Sequence, residues 1–199
     1  MNLDSGIAEL GLQLPEGASG KLAAYLSLLR KWNRTYNLTA IQDEARMVTH
    51  HLLDSLAVLP HLMDVKTLAD VGSGAGLPGI PLAICRPDLS VTSIETNQKK
   101  AAFQQQAKIE LGLNNVSIHC GRVEAANAQF DAVISRAFAE LALFVRDAGH
   151  LAATLYAMKG AYPKAEIDSL PDGWHVSEVA KLEVPGLHAE RHLVILRRN

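Results

Sequence analysis

The chain has 199 residues, 48% of them hydrophobic, and a formal net charge of -2. At roughly 100–200 residues per domain this suits one domain plus an extension, with the composition of a globular protein rather than a disordered one. The balanced charge excludes a uniformly basic nucleic-acid binder, so any nucleic-acid contact must come from a local patch.

Met1-Asn2-Leu3-Asp4 lacks the basic start and long apolar core of a signal peptide. No stretch reaches the ~18 apolar residues of a membrane span. Residues 1–62 read as a helical extension. Leu22, Tyr25, Leu26, Leu29 and Trp32 recur at helix spacing. From Gly17 to Gln42 there is no acidic residue, while Lys21, Arg30, Lys31 and Arg34 are present, interleaved with Trp32 and Tyr36. Basic residues beside aromatics suit phosphates and unstacked bases, although Trp32 and Tyr36 at this spacing equally suit a core. A second helix is expected to start at the N-cap Asp43 and to run through Val48, Leu52, Ser55 and Leu59 to Pro60. His50 and His51 lie on it, where packing or capping is expected. Adjacent histidines cannot share one helix face as metal ligands.

Residues 63–199 read as a second unit in which strands and helices alternate. Strand 66–71 precedes a helix over 79–86, strand 90–95 a helix over 97–111, and strand 116–120 leads to strand 130–135. A helix over 139–148, strand 151–158 and a short helix at 163–169 follow. Two β runs, 174–184 and 191–198, are joined by Pro185-Gly186-Leu187-His188. This is an α/β, mostly parallel sheet with helices on both faces and an antiparallel C-terminal strand. Such an ending is the methyltransferase arrangement; a dinucleotide domain needs a second βαβ half instead. Cys85 and Cys120 lack metal-ligand spacing and sit in apolar contexts, so both are expected as buried thiols in a reducing cytoplasm. No metal site is expected.

The most informative run is Asp70-Val71-Gly72-Ser73-Gly74-Ala75-Gly76-Leu77-Pro78-Gly79. An apolar strand ends in an acid, then glycine recurs at every second position. Glycines here permit positive φ and let a ligand lie against the main chain. Gly74 to Gly79 also matches the dinucleotide fingerprint, and an NAD-dependent oxidoreductase is the alternative reading. Asp70, however, places a negative charge where a pyrophosphate would lie. The same charge suits S-adenosylmethionine, which carries a sulfonium and an ammonium but no phosphate. Glu95 ends the second strand, about 20 residues on, where an acid accepts hydrogen bonds from ribose hydroxyls; it equally suits a cap on the following helix. Val123 and Glu124 follow the third strand, in the region where adenine usually lies. A non-catalytic RNA-binding module with a vestigial nucleoside pocket is disfavoured by the intact acidic and glycine positions.

Ser135-Arg136-Ala137-Phe138 ends the fourth strand, which borders cofactor and substrate in this architecture. Methyltransferases of exocyclic amines place an N/D-P-P-Y-type motif there, and none occurs in the chain. Nor is there a Pro-Cys pair for attack on a pyrimidine ring. An arginine there either hydrogen-bonds guanine or a phosphate through its fork, or ties the loop to the cofactor. The opposing possibility is a surface Arg136 paired with Glu140.

These residues resemble the bacterial small-subunit ribosomal RNA guanine-N7 methyltransferases, the glucose-inhibited division protein B family. The resemblance covers nearly the whole chain. Its markers are Lys31-Trp32-Asn33-Arg34-Thr35-Tyr36-Asn37-Leu38-Thr39-Ala40, His51-Leu52-Leu53-Asp54-Ser55-Leu56, the glycine run, Lys99-Lys100-Ala101-Ala102-Phe103, Ser135 to Phe138, and Met158-Lys159-Gly160. A Thr96 stands where a serine commonly follows the acid. The resemblance implies cofactor contacts at Gly72, Leu77, Val123, Glu124 and Arg136, beside Asp70, Gly74 and Glu95 from the residues themselves. It implies methyl transfer from S-adenosylmethionine to guanine N7 in small-subunit ribosomal RNA; another RNA is the alternative acceptor. Guanine N7 has an in-plane lone pair and no proton to lose, so no general base is expected. Arg136 is expected to orient the base, and Lys31, Arg34 and Lys100 to contact RNA. The expected partner is this RNA or the assembling small subunit, met by a cytoplasmic monomer.

Overall fold

The computed structural model describes residues 2–136, 138 and 140–199. Ala137, part of the expected motif at the end of the fourth strand, lies outside the described residues.

Helix α1 (Leu3–Glu9) is capped by Asn2, whose side chain accepts the Ser5 N–H. Helix α2 (Ala18–Tyr36) follows. Its apolar stripe buries Leu22, Tyr25, Leu26 and Leu29, each worth roughly 1.5–3 kcal/mol. It stops at Asn37, which takes the left-handed conformation with φ 51. Asp43 caps α3 (Glu44–Met47) as expected, accepting the Arg46 N–H at 2.8 Å. The expected single helix then departs from regular form. Residues Val48–Leu53 widen into a π turn before α4 (Asp54–Leu56) and a 3-10 turn at Leu59–Leu62. Such widened turns recur at functional sites, and this one leaves the His50 carbonyl to accept from Arg136.

Seven strands follow: β1 (Thr67–Val71), β2 (Ser90–Glu95), β3 (Val116–Cys120), β4 (Ala132–Ser135), β5 (Thr154–Lys159), β6 (Trp174–Lys181) and β7 (His192–Arg198). Helices α5 (Gly79–Cys85), α6 (Gln98–Leu111), α7 (Leu141–Ala148) and α8 (Lys164–Asp168) connect them. The spatial order is β3-β2-β1-β4-β5-β7-β6. The first five strands are parallel, and β7 runs antiparallel to both β5 and β6. The hairpin of the last two strands thus ends the sheet, with β7 inside it and β6 at the edge.

The strand period of two sorts side chains between two layers. Leu68, Val91, Ala132 and Ile134 face a core shared with α1, α2, α5 and α6. Ala69, Val71, Ile94 and Val133 face a second core built on α7. Residues 1–62 contribute to the first core from Ile7 to Leu62, so the extension packs directly on the sheet's helices. Cys85 is buried, but Cys120 is exposed. Cys120, expected buried, is exposed because it ends the edge strand β3, where the sheet gives no cover beyond its last rung.

The strand order reverses between β1 and β4, which pair directly with Asp70 opposite Ile134. Ligands of open α/β sheets bind outside the strand ends at this switch point. The pairing brings Gly72 and Arg136, distant in sequence, to the same crevice.

Candidate active site

The turn after β1 holds Gly72, Gly74 and Gly76 at φ of 67, 59 and 85. These are left-handed values that glycine adopts without strain. A Cβ at Gly74 would meet no atom within 4 Å, so the turn presents bare backbone to open space. Its shape is set from behind. Glu95 Oε2 accepts the Gly74 N–H at 2.7 Å, and Gln104 Nε2 donates to the Gly74 carbonyl at 2.7 Å. Tyr25, from α2, donates its hydroxyl to the Ala75 carbonyl at 2.6 Å. Burial holds that phenol well above its ordinary pKa, so it stays a donor.

Asp70 does not open onto the crevice. It lies fully buried under the turn, with Oδ2 accepting the Gly79 N–H at 2.7 Å at the start of α5. Its Oδ1 is buried without a hydrogen-bond partner. Burial raises the carboxyl to about 7, against the lowering effects of the Gly79 N–H and the Arg136 charge. A folded pKa above the unfolded 3.8 means the folded state holds the proton more tightly. The resulting stabilisation is full below about pH 4 and is lost as pH climbs to about 7. The melting temperature of the wild type, relative to Asp70→Asn, is therefore expected to fall between those values and then level off. Parallel melting curves across that range would contradict this account.

Three contiguous hollows follow the strand ends. A slot of about 250 Å³ is walled by Val71, Ile94, Val123 and Phe138, with Glu124 and Asp147 as acceptors at its rim. At Gly72 it meets a cleft of about 260 Å³ lined by Ser73, Gly74, Leu77, Lys100 and Arg136. Leu38, Thr39 and His51 of the extension form the opposite wall of that cleft. At His51 and Arg136 the cleft meets a cavity of about 380 Å³ bounded by Ile41, His50, Asp54, Lys159 and Arg191. The site thus gathers Gly72, Gly74, Leu77, Val123, Glu124 and Arg136 along one continuous path.

Glu95 lies below this path. Besides Gly74 it accepts the Asn97 N–H at 2.8 Å, so it ties the turn to the start of α6. Lys100 lines the cleft, whereas Lys31 and Arg34 do not. Lys31 is exposed on α2, and Arg34 borders a separate hollow of about 350 Å³ with Arg30, Asn37 and Gln42. Trp32 packs on Phe103 at 5.7 Å and on Tyr36 at 5.2 Å, so it belongs to the helix packing; Tyr36 stays exposed. His50 caps locally through Nδ1 and the Arg46 carbonyl. His51, buried, pairs through Nε2 with the Thr39 hydroxyl at 2.9 Å. Burial and the Arg136 charge lower it to about 4, so its imidazole is neutral at physiological pH.

Arg136 pairs with the buried Asp54 at 3.2 Å, not with Glu140. Arg191 meets the other oxygen of Asp54 at 2.8 Å. Sequence reasoning quoted Asp54 only as a motif residue and did not single out Arg191, Tyr25 or Gln104. Nothing local marks them, because each acts on a partner at least 30 residues away in sequence.

The residues fit S-adenosyl-L-methionine. An apolar slot with acceptors at its rim suits adenine, and the bare turn beside it suits a ligand lying on backbone without phosphate. A family model for GidB, rRNA small subunit methyltransferase G, matches residues 18–194. The chain belongs to this family. Ribosomal RNA small subunit methyltransferase G of Aromatoleum aromaticum is 61% identical over 206 residues, covering 99% of this chain and 98% of the relative. The protein of the same description from Neisseria meningitidis is 56% identical over 200 residues, covering 98% and 97%. Among solved structures, magnesium protoporphyrin IX methyltransferase from Synechocystis with bound SAM aligns with TM-score 0.63 at 14% identity, over 88% of this chain and 97% of that one. A SAM-dependent methyltransferase from Aquifex aeolicus aligns with TM-score 0.60 at 17% identity, over 81% and 97%. Those two likenesses establish the methyltransferase fold. The GidB-family chain is thus an S-adenosyl-L-methionine-dependent ribosomal RNA methyltransferase, and the oxidoreductase alternative falls. Among the described residues no helix is long and apolar enough to cross a membrane, and no three His, Cys, Asp or Glu side chains group to hold a metal ion.

Proposed function

We propose that the protein transfers the methyl group of S-adenosyl-L-methionine to ring N7 of a guanine in small-subunit ribosomal RNA. The supporting observation is the chemistry around Arg136. It borders both the cofactor cleft and the adjoining cavity, and the carboxylate lining that cavity, Asp54, is already engaged by two arginines. Among the described residues no other carboxylate lines that cavity to take a proton from an exocyclic amine. N7 needs none, because its lone pair attacks directly.

The bound cofactor supplies an electrophilic methyl on a sulfonium. Val123 and Glu124 hold the adenine end, Gly72, Gly74 and Leu77 present backbone to the remainder, and Glu95 fixes the turn from below through the Gly74 and Asn97 N–H groups. Asp70 acts from beneath the turn by fixing Gly79. Arg136 offers only donors and orients the acceptor nucleotide through guanine O6 or a phosphate. Alignment of nucleophile, methyl and sulfur is the main source of rate. Lys100, at the cleft, and Lys31 and Arg34, on α2, take RNA phosphates. In this reading residues 1–62 carry the RNA-facing surface and residues 63–199 the chemistry, in a cytoplasmic monomer.

Mapping methylated guanines in ribosomal RNA from cells with and without the protein tests the acceptor. A missing N7 mark in the knockout supports the reading; loss of an exocyclic methyl instead overturns it. Changing Lys31 and Arg34 together to Ala is expected to weaken RNA binding and lower the log–log salt slope by about 1.5, at ~0.7–0.9 per phosphate. Cofactor affinity by calorimetry should stay unchanged. An unaltered salt slope would return both residues to an ordinary solvated helix face.

A further inference from the structure

We propose that Asp54 is a positioning residue for methyl transfer, holding the Arg136 guanidinium at the boundary between the cofactor cleft and the acceptor cavity. Arg191 completes the clamp. The inference rests on the proposed role of Arg136 and adds what sets its geometry.

The three residues come from separate parts of the fold: Asp54 from α4 of the extension, Arg136 from the end of β4, Arg191 from just before β7. The Asp54 side chain is 2% exposed, whereas Arg136 and Arg191 are 25% and 23% exposed on the cavity wall. Each carboxylate oxygen serves one arginine, Oδ1 accepting from Nε of Arg191 and Oδ2 from Nη1 of Arg136. Two guanidinium groups this close repel without the shared anion, and the buried anion is costly without them.

A second acceptor fixes the same nitrogen. Arg136 Nη1 donates to the His50 carbonyl at 2.8 Å. In an α-helix that carbonyl would take the Asp54 N–H. Here the π turn sends the Asp54 N–H to the Thr49 and His51 carbonyls, and the His50 carbonyl receives Arg136 instead. One short segment therefore supplies both anchors. They hold Arg136 by one end of its fork, and among the described residues its Nε and Nη2 make no protein hydrogen bond. Those donors are left for the acceptor nucleotide or the cofactor. A rigid planar fork fixed at one corner has its other corners placed too, which a lysine would not provide.

The test is a double-mutant cycle on the full chain, read as single-turnover methyl transfer to small-subunit ribosomal RNA at saturating cofactor. Asp54→Asn is expected to slow transfer by about 30-fold or more, a loss of alignment, with RNA affinity changed less than about threefold. In an Arg136→Ala background the same change should cost less than about threefold further, because the residue it positions is gone. A full additional loss in that background would show that Asp54 acts only as a fold anchor and would overturn the proposal; so would a wild-type rate for Asp54→Asn. If the unpaired arginines prevent folding of that variant, Asp54→Asn combined with Arg191→Gln restores charge balance. It should melt near the wild type yet transfer as slowly, and a wild-type rate there overturns the proposal. Arg136→Ala at the wild-type rate would instead sink the role of Arg136 itself.

Discussion

Replacing Arg136 by alanine is expected to lower the single-turnover methyl-transfer rate by about 10²-fold or more, the scale of losing alignment at a reacting centre. Among the described residues Arg136 and His51 border both the cofactor cleft and the acceptor cavity, so the loss of Arg136 loosens both reactants at once. Arg136→Lys should rescue poorly. An ammonium in the place of Nη1 can meet Asp54 and the His50 carbonyl but leaves no fork toward the ligand. The wild-type rate should be nearly flat from mildly acidic to mildly alkaline pH. His51 titrates at about 4, below that range, and the carboxylate of Asp54 is committed to two arginines. Asp70, near 7, is fully buried beneath the turn and lines none of the three hollows. A rate rising tenfold per pH unit near neutrality would reveal an obligatory base, and direct attack by N7 would have to be given up.

Gly74→Val should abolish binding of S-adenosyl-L-methionine and of its demethylated product, measured by calorimetry. At φ 59 a β-branched residue is strained, and its side chain would project into the open space that the turn leaves for a ligand. Folding should survive, since no protein atom lies within 4 Å of the added Cβ. NAD should bind neither form. Retained cofactor affinity in the valine variant would place the ligand away from this turn.

Much of the scaffold was readable along the chain. Strand 90–95 and strand 116–120 match to the residue, and the helix after β2 starts at Gln98, behind its Asn97 cap and one residue after the expected bound. These elements are legible because alternating burial and capping are local properties. The helix expected from Asp43 to Pro60 was legible only in its start. The widening at Val48–Leu53 goes with contacts to Arg136, a group 82 residues past Asp54, which local spacing does not reveal. The exposed Cys120 has the same explanation, since an apolar neighbourhood in sequence does not say whether a strand lies at the sheet's edge.

By itself the sequence determined the glycine turn after β1, the acid ending β2, the arginine ending β4 and the antiparallel finish of the sheet, because each depends on residue type and short-range spacing. Only the tertiary structure decided how they are used. The β1–β4 pairing set Arg136 beside Gly72, and burial turned Asp70 from a cleft-lining charge into a support beneath the turn. Packing of the extension on α5 and α6 brought Tyr25 to the turn and His51 to the cleft, and set Asp54 between two arginines. Such roles arise from contacts between segments far apart in the chain. Burial, charge pairing and exposure exist only once those segments have met.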